Sequence, residues 1–256
     1  MTTAPTTIRP PAAALLLLEG RALFELAALL PAYPLLRRAP RGDGHPVLVL
    51  PGFLASDTST RALRRFLRDR GYAAYGWRLG RNRGPSQSLV TAMSERLERL
   101  HRRHGRRVSL IGSSLGGIYA RELARAAPEL VRQVITLASP FRDVDAVNVP
   151  HFLRREARRN AVVADDAPIR ARLREPLAVP TTAIFSHSDG IAAGASCRAD
   201  PAPFTESLEV GSSHLGIGHH PVVLLTIADR LAQSEGAWKP FVPPRGWRFP
   251  FVPRVA

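Results

Sequence analysis

Residues 108–122 read Val108-Ser109-Leu110-Ile111-Gly112-Ser113-Ser114-Leu115-Gly116-Gly117-Ile118-Tyr119-Ala120-Arg121-Glu122. Strand-favouring apolar residues run into a cluster of small residues, and helix-forming sequence leaves it as far as Ala126. The expected unit is a buried strand, a sharp and strained turn, and a helix. Ser114 alone occupies the middle of the Gly112-Ser113-Ser114-Leu115-Gly116 pattern; Ser113 is one residue out of register. Gly112 and Gly116 omit the side chains that would hold strand and helix apart, and Gly117 adds room.

The same alternation extends in both directions. Pro46-Val47-Leu48-Val49-Leu50 is a continuous apolar run of strand length, the mark of a parallel strand covered on both faces. A helix capped by Asp57, Ser59 or Thr60 is expected through Arg70, then a strand over 72–77, a helix over 88–104 ended by Gly105, and the strand at Val108. Beyond the helix over 115–126, strands are expected at 131–137, 181–185 and 204–210 and a last helix at 221–233. This order specifies an α/β fold with a mostly parallel central sheet and helices on both faces. Residues 141–176 break the rhythm with arginine-rich helical pieces at 151–160 and 167–175, read as a short helical cap insertion. The expected organisation is a lead-in over 1–45, a catalytic domain over 46–235 and a Pro/aromatic-rich tail over 236–256 lying as an extended surface strip.

The lead-in carries an amphipathic helix-like stretch from Pro11 to Leu30, with Leu15, Leu18, Ala22, Leu26 and Leu29 at helical spacing and Glu19 and Glu25 elsewhere on its surface. Glu19, Arg21 and Glu25 interrupt the apolar run, so a cleaved signal and a membrane span are not expected. Pro31, Pro34 and Pro40 are expected to lead the chain into the first strand. The expectation is a cytoplasmic protein whose N-terminal helix packs on the domain and is also the candidate for peripheral membrane contact. Cys197 is the sole cysteine among 256 residues, which excludes an intrachain disulfide and a cysteine-rich metal site.

The net charge of +15 invites a nucleic-acid partner, but the arginines are dispersed beside acids, as in Arg121-Glu122 and Arg154-Arg155-Glu156. No nucleic acid is expected; weak attraction to anionic lipid or acidic substrates is.

A serine hydroxyl attacks only when a base takes its proton, and that base needs a carboxylate to orient it. In this strand-turn-helix arrangement the acid and then the histidine follow the serine along the chain. His45, His101 and His104 come too early, His151 lies in the cap, and His187 precedes the best acid. His214 follows the last strand in Gly211-Ser212-Ser213-His214-Leu215-Gly216, with His219 and His220 as competitors nearer the helix start. Asp189 follows the strand ending at Phe185 and so projects from the carboxyl edge of the sheet, where catalytic groups gather; Asp200 is its rival. The backbone N–H of Leu115 and of Phe53 or Leu54 are the candidate oxyanion donors. Leu54 and Phe141 are candidate substrate contacts. The histidines lack a His-Glu-x-x-His pattern, so neither a metal nor any other cofactor is expected.

Pro46 to Phe53, Ser114-Leu115-Gly116-Gly117, Ser188-Asp189-Gly190-Ile191 and Ser213-His214-Leu215-Gly216 together resemble the bacterial lipase- and esterase-like α/β hydrolases. The resemblance spans about 46–233 and departs at Pro51, where many lipases carry histidine. It implies the α/β-hydrolase fold and metal-free hydrolysis of a small-molecule or lipid carboxylic ester through Ser114, His214 and Asp189. An acyltransferase or thioesterase would use the same groups, and a non-catalytic membrane-associated module would keep the fold without the chemistry.

Overall fold

The structure, a computed structural model, describes residues 8–150, 167–243 and 254–255. Three short helices, α1 (Ala14–Leu17), α2 (Ala22–Ala27) and α3 (Leu29–Leu36), precede the first strand, with a 3-10 turn at Leu18–Arg21 between the first two. The strands are β1 (Pro46–Leu50), β2 (Ala73–Gly76), β3 (Val108–Ser113), β4 (Val131–Leu137), β5 (Thr181–Phe185), β6 (Thr205–Glu209) and β7 (Arg254–Val255). They form one sheet in the order β2-β1-β3-β4-β5-β6-β7, with β1 to β6 parallel and β7 antiparallel to β6. Helix α4 (Arg61–Asp69) joins β1 to β2, α5 (Gln87–His104) joins β2 to β3, and α6 (Leu115–Ala126) joins β3 to β4. Helix α7 (Ala167–Arg174) precedes β5, and α8 (Pro221–Leu231) follows β6.

β1 is apolar throughout because it has no solvent face. Val47 and Val49 enter one core with Leu63 and Leu67 of α4 and Val223 and Ile227 of α8. Leu48 and Leu50 enter the other with Met93 and Leu97 of α5 and Tyr119 and Leu123 of α6. The chain therefore leaves β1 towards one face and β3 towards the opposite face. Between two neighbouring parallel strands, that reversal opens a crevice at their carboxyl ends. It lies between the loop starting at Pro51 and the turn at Ser114.

Three expectations need correction. The N-terminal helix does not end at Leu30: it restarts at Leu29 and runs through Pro31 and Pro34 to Leu36. Pro31 falls in the first turn, where its missing N–H would have no partner, so only Pro34 removes an internal bond. The tail is not wholly irregular, because Arg254 and Val255 pair with Glu209 and Leu208. Its nearer part is anchored by Phe241, whose N–H donates to Glu206 Oε2 at 2.7 Å while Glu206 Oε1 accepts from Arg230 at 3.0 Å. Lastly, Glu19 and Glu25 are buried, facing the domain. Of the two helical pieces expected in the cap, that at 151–160 lies outside the described residues; α7 is the other.

Candidate active site

Ser114 links β3 to α6 with φ 50° and ψ −121°, a backbone conformation costly for any residue with a Cβ, of order 1–3 kcal/mol. Neighbouring bonds over-determine it. Ser114 N–H donates to Leu137 O at 2.8 Å, and Ser114 O accepts from Gly117 N–H at 2.9 Å and Ser139 Oγ at 2.7 Å. A Cβ on Gly112 would lie 2.2 Å from Gly116 O, and one on Gly116 would lie 2.4 Å from Leu50 O. The glycine pattern is thus demanded by backbone contact on both sides of the serine.

The loop after β1 lies against this turn: a Cβ on Gly52 would sit 3.3 Å from Ser114 Cβ. Leu54 N–H is already engaged, donating to Asn82 O at 2.6 Å. Phe53 N–H has no acceptor among the described residues, and Leu115 N–H, at the first position of α6, has none within its helix. Asn82, buried, holds the loop from beneath through Nδ2 to Pro51 O at 2.9 Å. Its part is invisible in sequence, where it reads as one polar residue in a loop. Leu54 is partly exposed near the crevice with φ 58°. Phe141, the other candidate substrate contact, is buried, at 2% exposure. Its ring is covered by the buried Arg121 guanidinium, 4.1 Å from the centroid, which is itself held by the carbonyls of Leu173 and Glu175.

Asp189 leaves the end of β5 and His214 the end of β6, and the structure brings them into contact. His214 Nδ1–H donates to Asp189 Oδ2 at 2.7 Å. Asp189 Oδ1 accepts from Ile191 N–H and Ala192 N–H, both at 2.8 Å, so the carboxylate cannot rotate freely. Because a carboxylate only accepts, this bond places a proton on Nδ1, and in a neutral imidazole Nε2 then keeps the lone pair. Among the described residues the Ser114 hydroxyl has no hydrogen bond to His214; such bonds are often long in the absence of substrate. Two of the three competitors are otherwise occupied, while His220 Nδ1 is buried without a hydrogen bond among the described residues. His219 Nε2 donates to Ala22 O at 2.9 Å, and Asp200 pairs with Arg142 at 3.0 Å.

A second Ser-His-Asp chain is present. His45 Nδ1 lies 2.5 Å from Asp43 Oδ1, and its Nε2 lies 2.8 Å from Ser109 Oγ. Geometry alone would qualify it, but position does not. His45 and Ser109 have no exposed surface and sit at the amino ends of β1 and β3, roughly 16 Å down the strand from Ser114 at about 3.3 Å per residue. Burial, aided by the Arg132 charge, pushes His45 down to about 4 despite the opposing Asp43. The folded protein therefore binds fewer protons than the unfolded chain between the ordinary histidine value near 6.5 and about 4. Stability from this group is complete above that window and is lost as the pH falls through it. Taking the wild type from pH 7 to pH 5 is expected to cost about 2 kcal/mol through His45. The check is the urea midpoint at the two pH values beside His45→Gln, whose loss should be smaller by that amount. Asp43 is raised by burial, but hydrogen bonds from Arg132 and His45 outweigh this and hold it well below the usual carboxylate range, so it acts at lower pH.

No protein-family model matches the sequence, and no curated protein sequence does. Solved structures match its fold. Lipase B of Aspergillus fumigatus superposes with a TM-score of 0.58 at 15% identity over 76% of this chain, which spans 53% of the lipase chain, about half its length. A lipase of Bacillus licheniformis in mature form gives 0.57 at 15% identity over 77% of this chain and 95% of its own. A monoacylglycerol lipase of Paleococcus ferrophilus gives 0.52 at 14% identity over 73% and 96%. At such identities the likeness is one of architecture, and together with the parallel sheet, its reversal between β1 and β3 and the strained strand-to-helix turn it establishes that this chain has the α/β-hydrolase fold.

Proposed function

We propose that the protein is a serine-dependent carboxylic ester hydrolase in which Ser114 is the nucleophile, His214 the general base and Asp189 the residue that orients it. The observation that carries this reading is the His214–Asp189 hydrogen bond at the same sheet edge as a serine held at φ 50°. Ser114 Oγ attacks the ester carbonyl carbon as His214 Nε2 takes its proton; the alkoxide leaves with that proton, and water then releases the acid by the same route. The N–H groups of Phe53 and Leu115 hold the developing oxyanion; the bond of Leu54 N–H to Asn82 O favours Phe53 over Leu54. The lipases of similar fold and the exposed apolar side chains of Leu54 and Leu215 favour an acyl chain as the substrate's bound part. The test is hydrolysis of p-nitrophenyl acetate, butyrate, octanoate and palmitate, with Ser114→Ala as control. A profile rising beyond acetate supports the apolar acyl site, and product analysis with added alcohol separates hydrolysis from acyl transfer. Absence of turnover of all four esters would count against the reading.

The N-terminal helices favour peripheral contact with lipid as part of this function. Nine of the fourteen large apolar side chains exposed among the described residues lie between Leu16 and Leu35, including Leu17 at 85%, Phe24 at 78% and Leu30 at 81%. Such a concentration exceeds the scattered apolar exposure of an ordinary surface. The protein's +15 charge suits an anionic bilayer, and no helix among the described residues is long and apolar enough to cross one. Replacing Leu17, Phe24 and Leu30 together by serine is expected to lower the fraction sedimenting with phosphatidylglycerol vesicles about tenfold or more. Unchanged sedimentation would remove lipid contact from the proposal.

A further inference from the structure

The loops that carry Asp189 and His214 turn backbone donors outward, away from the sheet. Gly190 N–H, Ser213 N–H, His214 N–H and Leu215 N–H all point into the space where the 3-10 turn and α2 lie. Buried backbone donors require acceptors, and within their own loops these four have none. The N-terminal segment supplies them as two carboxylates. Glu19 Oε1 accepts from Gly190 N–H at 2.8 Å and from His214 N–H at 3.0 Å, while Oε2 accepts from Leu215 N–H at 3.0 Å. Glu25 Oε1 accepts from Ser213 N–H at 2.8 Å, and Oε2 accepts from Ser213 Oγ at 2.6 Å. Arg21, placed between them, donates to Ser188 O and Ser188 Oγ, both at 2.8 Å.

Glutamate is rarely buried to 6% exposure, as Glu19 is, without a specific reason. Two glycines show how closely the fit is made. A Cβ on Gly190 would meet Leu15 O at 2.4 Å, and one on Gly216 would lie 1.5 Å from Glu25 Oε2. We propose that Glu19 is a positioning residue: one oxygen, shared between the residue after the acid and the base itself, sets the separation across which the His214–Asp189 bond forms. Glu25 and Arg21 hold that clamp in place. This inference rests on Asp189 and His214 being the working pair.

Anchoring the N-terminus and positioning the base differ in what they predict. Loss of a mere anchor lowers stability and leaves the rate of the folded enzyme alone; loss of a clamp lowers kcat with KM little changed, because the misplaced group acts in the chemical step. The experiment uses the full-length protein carrying Glu19→Ala or the isosteric Glu19→Gln, assayed on p-nitrophenyl butyrate well below the unfolding temperature of each. Glu19→Ala is expected to lose about 100-fold in kcat, the scale of a misplacement near 1 Å. Glu19→Gln keeps one acceptor but turns an NH2 towards Leu215 N–H, and is expected to fall between Glu19→Ala and wild type. The far-downfield proton of the His214–Asp189 bond, assigned by its loss in Asp189→Asn, should shift or broaden in both variants. A kcat within threefold of wild type in Glu19→Ala, with that resonance unmoved, overturns the clamp; if Glu19→Ala does not fold, Glu19→Asp, whose shorter side chain withdraws the shared oxygen from Gly190 N–H and His214 N–H, is held to the same criterion. Ser114→Ala, run alongside, separates the two failures: if it retains turnover, the pair itself is misassigned and the clamp falls with it.

Discussion

Ser114→Ala is expected to lower kcat for p-nitrophenyl butyrate by about 10⁴-fold or more while leaving the fold intact. The expectation follows from the proposed covalent route, in which Ser114 Oγ is the attacking atom. Ser109→Ala is the informative companion. Ser109 bonds to His45 as a nucleophile would bond to its base, yet it is sealed within the sheet. Its removal should change kcat less than about threefold and cost about 1 kcal/mol of stability through the lost hydrogen bond. The reverse pattern, with Ser109→Ala inactive and Ser114→Ala active, would transfer the chemistry to the other edge of the sheet.

Asp189→Asn is expected to lose about 10⁴-fold in kcat, and the reason is particular to this loop. Ile191 N–H and Ala192 N–H both require an acceptor at the Oδ1 position, so the asparagine must place its carbonyl oxygen there. Its NH2 then faces His214 Nδ1. That nitrogen must become an acceptor, which moves the ring proton to Nε2, where it blocks removal of the Ser114 proton. Asp189→Ala imposes no such tautomer, so the asparagine variant should be at least as impaired as the alanine one despite its closer shape. Nitrogen-15 chemical shifts of the His214 ring report the tautomer directly. Nδ1 remaining protonated in Asp189→Asn, with kcat preserved, would refute this account.

Much of this architecture was legible in the chain because its signals are local. The unbroken apolar run at Val47 to Leu50 requires cover on two faces, and the small residues around Ser114 leave few conformations other than a tight strand-to-helix turn. Asp189 and His214 could be nominated because each follows a strand that announces itself. What escaped was decided at long range. Helical spacing put the leucines of the N-terminal segment inward, yet the segment breaks at Leu18–Arg21, so the spacing does not persist, and unpaired donors 171 to 196 residues away draw Glu19 inward instead. The choice between Phe53 and Leu54 depended on a carbonyl of Asn82. Phe141 looked available as an apolar residue after β4, but its ring is buried beneath the Arg121 guanidinium, a contact 20 residues away in sequence. The two-residue pairing of β7 carries no signature of its own.

The span of the Glu19 bonds also orders events during synthesis. Chains fold from the amino end as they emerge, and contacts of wide sequence separation form late. Residues 14–27 are made before any strand of the sheet, but the backbone groups they serve appear only when Leu215 has been added. Until then two carboxylates destined for burial remain in water, and the loops of the proposed acid and base are not yet joined. A nascent chain halted before residue 214 would already hold β1 to β6 in sequence and still lack the proposed base, so hydrolysis would begin only when the first-made segment closes over one of the last.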